Sequence, residues 1–481
     1  MGRLARKSLW LVLGRAVADG LSFLYYLLLA RAYGADGIGA YSFAFAVAAL
    51  VGLGVNLGLG HLLTRAAARD PGLVRRAAVS VTAVQAVLAV LLGILIALGE
   101  SVYGLPAGTR TLLLLAFAST ALHEMALSFV SYVEGGEAMG TSALLTVASR
   151  AVLFLLVVGL LVAGATLTHV LWAHVIAHAV YLAAAIAATR RLYGPLRSPL
   201  DPALALRQVR ASLPFLAAGA LYALYARVDI IMLHHFRGEV ETGFYSAAQK
   251  LASTPIFVAF LIGTAVFPAL SRTGPEDPAA RDDLFREAVR WIALIGLTGA
   301  VLLASVGDRA AIFLYGSGFA AAGEVVRWMA AIYLAECIAV PYWRLLYAID
   351  RERLVLWMRA AAVGMNVLLN LFLIPRWGPV GAVWASTVSE GGLALGLHVV
   401  CARVVPAPLS GLGLRLALVA VGSLAVLIPL RWSVPWPILV LVGGGLILGL
   451  SLAVHVIRRD DLHMLVRTVT QGLPSAEKRG G

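Results

Sequence analysis

An all-α polytopic membrane protein is the fold class this chain predicts, and three observations carry the prediction. Apolar runs near the bilayer-spanning length recur about fourteen times, and hydrophobic residues make up 61% of the 481 positions. Charged residues make up only 13%, against about 25% in an ordinary soluble domain. Basic residues gather in alternate gaps between the runs, as the positive-inside rule requires of a chain that crosses and recrosses a membrane. Runs such as Val79–Leu98 and Leu414–Leu430 reach or approach the roughly 20 residues needed to span hydrocarbon.

In chain order, the expected spans are 9–31, 38–60, 78–98, 110–133, 141–163, 168–189, 211–234, 243–268, 290–306, 325–348, 354–374, 380–401, 412–430 and 436–457. The first follows a basic start, MGRLARKSLW, and further spans follow it with no small-residue cleavage site, so it reads as a span and not a removed signal. Arg6 stands where N-myristoylation would want a hydroxyl. Loop 190–210 suggests a short surface helix after Asp201-Pro202, and loop 271–289 is the other long one on its side. Span 290–306 is the weakest in extent, and Pro429, Pro435 and Pro437 crowd the link between the last two.

Charge bias tests this count. With the N-terminus inside, 25 Lys and Arg residues fall on the inner side and six on the outer: Arg31, Arg110, Arg237, Arg309, Arg376 and Arg431. A missed span in the middle would destroy that ratio, so fourteen spans with both termini cytoplasmic is the expectation. The formal charge of +13 is then a topology signal and not a nucleic-acid face. Cys337 and Cys401 lack metal-ligand or disulfide-scaffold spacing. The absence of a nucleotide-binding motif argues against direct use of ATP. Outer loops are short, with 307–324 the longest, and none carries an acid/base constellation of the kind a membrane glycosyltransferase needs.

An offset of 204 residues aligns the chain with itself. Gly34, four residues, Gly39, one residue, then Tyr41-Ser42 matches Gly238, four residues, Gly243, one residue, then Tyr245-Ser246. The glycines suit a tight re-entry and the small residues that follow suit close helix contact. Six spans separate the two copies, so the repeated units would share one orientation, as in transporters with parallel repeats.

Charges inside hydrocarbon are costly and by default mark a pathway. The basic residues left within spans are Arg15, Arg150, Arg227, Lys250, Arg327, Arg344 and Arg359. Acidic and amide groups there include Asp19, Glu124, Asp229, Glu336, Asn366, Asn370 and Glu390. Arg15 and Asp19 are four apart and can pair on one helix face, whereas Arg227 and Asp229 are two apart and need partners elsewhere. Arg150 reads equally as a cavity residue or as the partner of Glu124. Arg344 and Glu336 share a face roughly, and Lys250 can snorkel to headgroups. Asn366 and Asn370 share a face that either cross-links helices or meets sugar hydroxyls. His174 and His178, one turn apart, lack a zinc signature and read as packed or hydrogen-bonded histidines.

ARAYGADGIGAYSFAFA (30–46), RVDIIMLHHFRGEVETGFYSAAQKL (227–251), Phe267-Pro268, FLYGSGFAAAGEVVRWM (313–329) and NVLLNLFLIPRWGPVGAVWAS (366–386) together resemble the polysaccharide-transporter branch of the multidrug/oligosaccharidyl-lipid/polysaccharide exporter superfamily. That branch includes flippases for O-antigen-type lipid-linked sugars and for lipid II. The resemblance implies 14 transmembrane helices, two parallel-repeat six-helix bundles around a central cavity plus two extra C-terminal helices. Its lobes would be 1–189 and 211–402, with a cytoplasmic linker at 190–210, the added pair at 403–457 and a polar tail at 458–481.

The activity implied is non-enzymatic: a flippase moving a polyprenyl-diphosphate-linked oligosaccharide from the inner to the outer leaflet of the cytoplasmic membrane by alternating access, for cell-surface polysaccharide biosynthesis. Lipid II transport and ion-coupled multidrug or metabolite antiport stand beside it, although antiport of cationic drugs favours carboxylates over this basic set. The resemblance makes spans one and seven equivalent cavity-lining helices. Arg15 and Arg227 are therefore the leading candidates for gripping a diphosphate, which a guanidinium suits by charge and fork geometry. Arg344, Arg150, Asn366 and Asn370 complete the expected substrate set; Asp19, Asp229, Glu124, Glu336 and Lys250 are expected in coupling or ion pairs. No cofactor or metal is expected, with Na+, H+ or the membrane potential left open as the energy source. Expected partners are the lipid-linked sugar, membrane lipids and polysaccharide polymerase machinery, not nucleic acid, around a functional monomer.

Overall fold

The computed structural model describes residues 3–103, 107–253, 263, 270, 278–405, 411–457 and 461, and within these the side chains of all but 3–13, 100–103 and 107. Most of expected span 243–268, including Phe267-Pro268, lies outside the described residues, as do 271–277 and most of the tail. The chain divides into two compact units, Met1–Gly243 and Phe244–Gly481. Among the described residues, 11 helical stretches are long and apolar enough to cross a membrane by length and composition.

The first unit holds α1 (Arg3–Asn56), α2 (Gly60–Arg69), α3 (Leu73–Tyr103), α4 (Ala107–Gly135), α5 (Met139–Val162), α6 (Leu167–Tyr193) and most of α7 (Pro202–Ser253). The second holds α8 (Pro278–Tyr315), a 3-10 turn (Ser317–Phe319), α9 (Ala320–Ala348), α10 (Glu352–Cys401), α11 (Leu412–Leu430) and α12 (Trp436–Ala453). In the first unit α4 packs on α1 and α6, and α5 on α1 and α6; in the second α9 packs on α8 and α10. The C-terminal pair, α11 and α12, packs on itself and on α8, burying Val419, Leu427, Leu439 and Ile447.

Three helices break at one residue each. Gly34 in α1 (φ 68°, ψ −170°), Gly238 in α7 (φ 82°, ψ −170°) and Gly378 in α10 (φ 54°, ψ −132°) are the only non-helical positions within their helices. That region of backbone space is essentially reserved for glycine. The separations expected at 32–37, 235–242 and 375–379 are thus compressed to single-residue breaks. In α10 the two arms lie so close that a Cβ at Gly381 would overlap the Leu373 carbonyl.

Two further details differ from the sequence reading. The segment after Asp201-Pro202 is no separate surface helix: α7 runs unbroken from Pro202 through Pro214 to the Gly238 break. Span 290–306 is the middle of the longer α8. Its polar first turns stay helical because Arg281 pairs with Asp282 and Arg286 with Asp283, a neutralisation that a hydropathy pattern does not register.

Asp201 anchors the start of α7. Its carboxylate accepts the Leu204 N–H at 2.9 Å and meets Arg76 Nη2 at 3.0 Å, while its own N–H donates to Ser80 Oγ. The Leu204 hydrogen bond first, and then Arg76, hold this carboxyl below the ordinary aspartate range. A depressed acid stabilises the fold above its unfolded pKa and loses that contribution as pH falls through the folded value. Asp201→Ala is therefore expected to lower the melting temperature at pH 7, with the gap from the parent narrowing below about pH 4 in detergent melts.

Candidate functional site

Reciprocal packing places the two copies of the glycine skeleton against each other. A Cβ at Gly39 would overlap the Glu239 carbonyl, and a Cβ at Gly243 would overlap the Ala35 carbonyl. Those pairs are equivalent under the same 204-residue offset. Beside the crossing, Phe43 stacks on His234 with ring centroids 3.6 Å apart. At the far end of α1, a Cβ at Gly58 would collide with the backbone of Phe215 and Leu216 in α7. A mixed polar cavity of about 320 Å³ opens there, lined among others by Asn56, His61, Thr64, Ser131 and Glu134.

The charged candidates of the first unit sort by accessibility. Arg15 is exposed and its Nε donates to Asp19 at 3.0 Å, which leaves its terminal nitrogens without a partner among the described residues. Arg227 is also exposed, with no hydrogen bond or ion pair among the described residues; Tyr41 and Tyr222 lie within its electrostatic reach. Asp229 is buried at 4% exposure. Glu124 accepts a hydrogen bond from Asn56 Nδ2, so its partner is not Arg150. Arg150 is half-buried on α5, within reach of Tyr41, His123, His174, His178 and Tyr181.

In the second unit Glu336 on α9 lies within electrostatic reach of Glu390 and Arg359, from the two arms of α10. Glu390 is buried and meets Arg359 Nη1 at 3.8 Å. Asn370 Nδ2 donates to Asn366 Oδ1, and Asn366 Nδ2 to Ser386 Oγ, both at 3.0 Å. Both asparagines are fully buried, so in this arrangement they tie one arm of α10 to the other. Arg344 lies over the Trp343 ring at 4.4 Å, and Lys250 is half-buried near the end of α7. An apolar cavity of about 340 Å³ is lined by Leu251, Leu302, Val306 and Tyr333 among others.

Sequence reading passed over three features. His123 shows no spacing motif, yet its ring lies 4.7 Å from that of His178. Tyr25 and Tyr41 are 16 residues apart across the α1 break, and their hydroxyls lie 3.4 Å apart. Glu390 and Arg359 were visible as charges in spans, but no period links positions 31 apart until the Gly378 break folds α10 back. Among the described residues no group of three His, Cys, Asp or Glu is placed to hold a metal.

Fold and charge placement define an all-α polytopic membrane protein with ionisable groups within its spans. The chain belongs to the polysaccharide biosynthesis protein family, which it matches over residues 4–274. It is 27% identical over 217 residues to a probable flippase, AglR, of Haloferax volcanii, a stretch covering 42% of this chain and 44% of that relative. Its fold is similar to that of the lipid II flippase MurJ in an inward closed conformation, with a TM-score of 0.74 and 13% identity, over 91% of this chain and 97% of that one. A superfamily transporter from Pyrococcus furiosus, described by the reversed polarity of its binding pocket, gives 0.58 and 14% identity, covering 84% and 96%.

The reciprocal glycine crossing makes a direct expectation. Gly39→Val is expected to force the α1 and α7 segments apart, so that a cysteine at Thr242, fully buried in the parent, reacts at least several-fold faster with a water-soluble maleimide. Unchanged labelling in a helical, folded variant would show that the crossing does not hold these segments together.

Proposed function

We propose that this chain is a flippase that carries a polyprenyl-diphosphate-linked saccharide from the inner to the outer leaflet of the cytoplasmic membrane by alternating access. This reading counts fourteen spans with both termini cytoplasmic by taking each of the helices broken at Gly34, Gly238 and Gly378 as two spans; 11 apolar helical stretches among the described residues support it. The two six-span lobes would be 1–189 and 211–402, joined by the 190–210 linker and followed by the α11–α12 pair and a polar tail.

The observation that carries the reading is Arg227: an accessible guanidinium within a span, free of ion pairs among the described residues. Such a cation in hydrocarbon faces water or an anion, not lipid. Arg15, with a free guanidinium end, is the second phosphate ligand, and Arg150 adds a further basic group in the same unit. Asp19 pairs with Arg15. Arg344 stays a substrate candidate of the second unit, and Asp229, Glu124, Glu336 and Lys250 stay candidates for ion pairs or coupling. The sequence motifs put a surface-polysaccharide cargo first, but the whole-chain likeness to a lipid II flippase favours a peptidoglycan precursor. The family match and the archaeal relative support the surface-polysaccharide cargo as the second reading. The apolar cavity beside α8 and α9, lined among others by Leu251, Leu302, Leu303 and Val306, suits a stretch of prenyl chain.

Proteoliposomes containing a fluorescent lipid II, or an undecaprenyl-diphosphate oligosaccharide, test both cargos. Arg227→Ala and Arg15→Ala are each expected to slow flipping roughly tenfold or more, the effect of losing a charge-assisted contact of about 1.5–3 kcal/mol. Wild-type rates in both variants would overturn the diphosphate contact, and export of an organic cation with neither lipid moved would favour the antiporter.

A further inference from the structure

The first unit contains a buried polar network that the cargo reading does not use. Tyr41 Oη lies 3.2 Å from His174 Nε2, and the His174 and His178 ring centroids are 6.1 Å apart. His178 Nδ1 lies 3.1 Å from the Ser119 carbonyl and 2.8 Å from its hydroxyl. A carbonyl oxygen only accepts, so His178 Nδ1 carries the hydrogen and Nε2 is left as a bare lone pair. His178 Nε2, His174 Nδ1 and His123 Nδ1 are all buried with no hydrogen-bond partner among the described residues. His174 and His178 are themselves only 2% and 5% exposed. Buried polar atoms are nearly always satisfied, so three ring nitrogens in one cluster without a partner among the described residues are exceptional.

Any of these nitrogens that carries a lone pair can take up a proton. No metal set is available among the described residues, and the walls are Phe45, Tyr25, Tyr26, Tyr41 and Tyr181. Every packed element contributes its charges to the account. From α1 come the tyrosines and, at longer range, Arg15; from α4, His123 and Ser119; from α5, Arg150; and from α6, Tyr181. The carboxylates on α4 have neutral partners, Glu124 accepting from Asn56 and Glu134 from the Ser142 hydroxyl. A proton entering this cluster adds a second cation beside Arg150. Repulsion between the two favours an arrangement in which the cluster opens, and on the α1 side it is closed by the Tyr41–His174 contact together with Tyr25 and Phe45.

We propose that His174 and His178, together with His123, form a proton-binding site whose occupancy is linked to separation of α1 from α6. As a coupling site it rests on the transporter reading above. The neutral cluster holds the closed packing, and the protonated cluster belongs to a second conformation, so each state biases the other.

The test uses the full chain in nanodiscs, with spin labels at the exposed positions Leu24→Cys on α1 and Ile176→Cys on α6, the buried Cys337 and Cys401 being left in place. The label-to-label distance distribution is expected to shift between about pH 8 and about pH 4. His174→Gln with His178→Gln, which keeps hydrogen bonding but cannot titrate, is expected to abolish the shift. Arg150→Gln is expected to move its midpoint up by roughly one pH unit, the effect of removing one nearby charge. That arm serves equally if the double variant does not fold. A distribution independent of pH, or a midpoint unmoved by Arg150→Gln, overturns the proposal. Flipping measured on the same samples separates the two readings. A histidine-dependent shift without movement of either lipid keeps the proton site and removes the cargo; normal flipping without any shift does the reverse.

Discussion

Inside a bilayer a helix must satisfy its own backbone hydrogen bonds, and this chain can interrupt its helices only where a residue turns the backbone at no steric cost. Gly34, Gly238 and Gly378 meet that condition, and each reduces the separation between two helical arms to one residue. Glycine then serves a second purpose one turn further on. Gly39 and Gly243 let two stretches of helix meet backbone to backbone, each lying on the residue equivalent to the other's neighbour. The duplicated skeleton and the crossing are thus one constraint seen twice. A side chain at either glycine would push both copies apart, which ties the repeat in the sequence to the packing of the first unit.

Hydropathy and charge bias made the class legible, because crossing a membrane imposes a length and a sign on every segment. They could not mark where a helix continues beyond hydrocarbon. The polar start of α8 and the stretch 202–210 of α7 remain helical through local ion pairing and an aspartate cap, neither of which has an apolar period. The spacing of Arg15 and Asp19 announced their pairing, since four residues on a helix is a contact distance. Glu390 with Arg359, and His123 with His178, were not readable in this way. Their partners lie across a helix break or on another helix, and only the folded chain brings them together.

The polar residues of the spans divide by what surrounds them. Asn370 donates to Asn366 and Asn366 to Ser386, which makes them fasteners of α10 in this arrangement. Arg227 and the free end of Arg15 spend none on the described protein and are open to solvent. A buried fastener and an accessible cation carry the same cost on a hydropathy scale, yet only the second can bind something that arrives and leaves. Accessibility combined with lack of a partner is therefore a sharper guide to a binding role than charge in a span alone.

Tyr41 ties these groups together. It belongs to the repeated skeleton, holds His174, and lies within electrostatic reach of both Arg150 and Arg227. Under both proposals, an anionic cargo at Arg227 offsets positive charge near Tyr41, and a proton on the histidines adds to it. Within one conformation the two occupants then favour each other, and linkage makes the effect equal in both directions. Such coupling needs no dedicated relay. It follows from placing one tyrosine, on a helix bent by a glycine, between an exposed cation and a buried histidine.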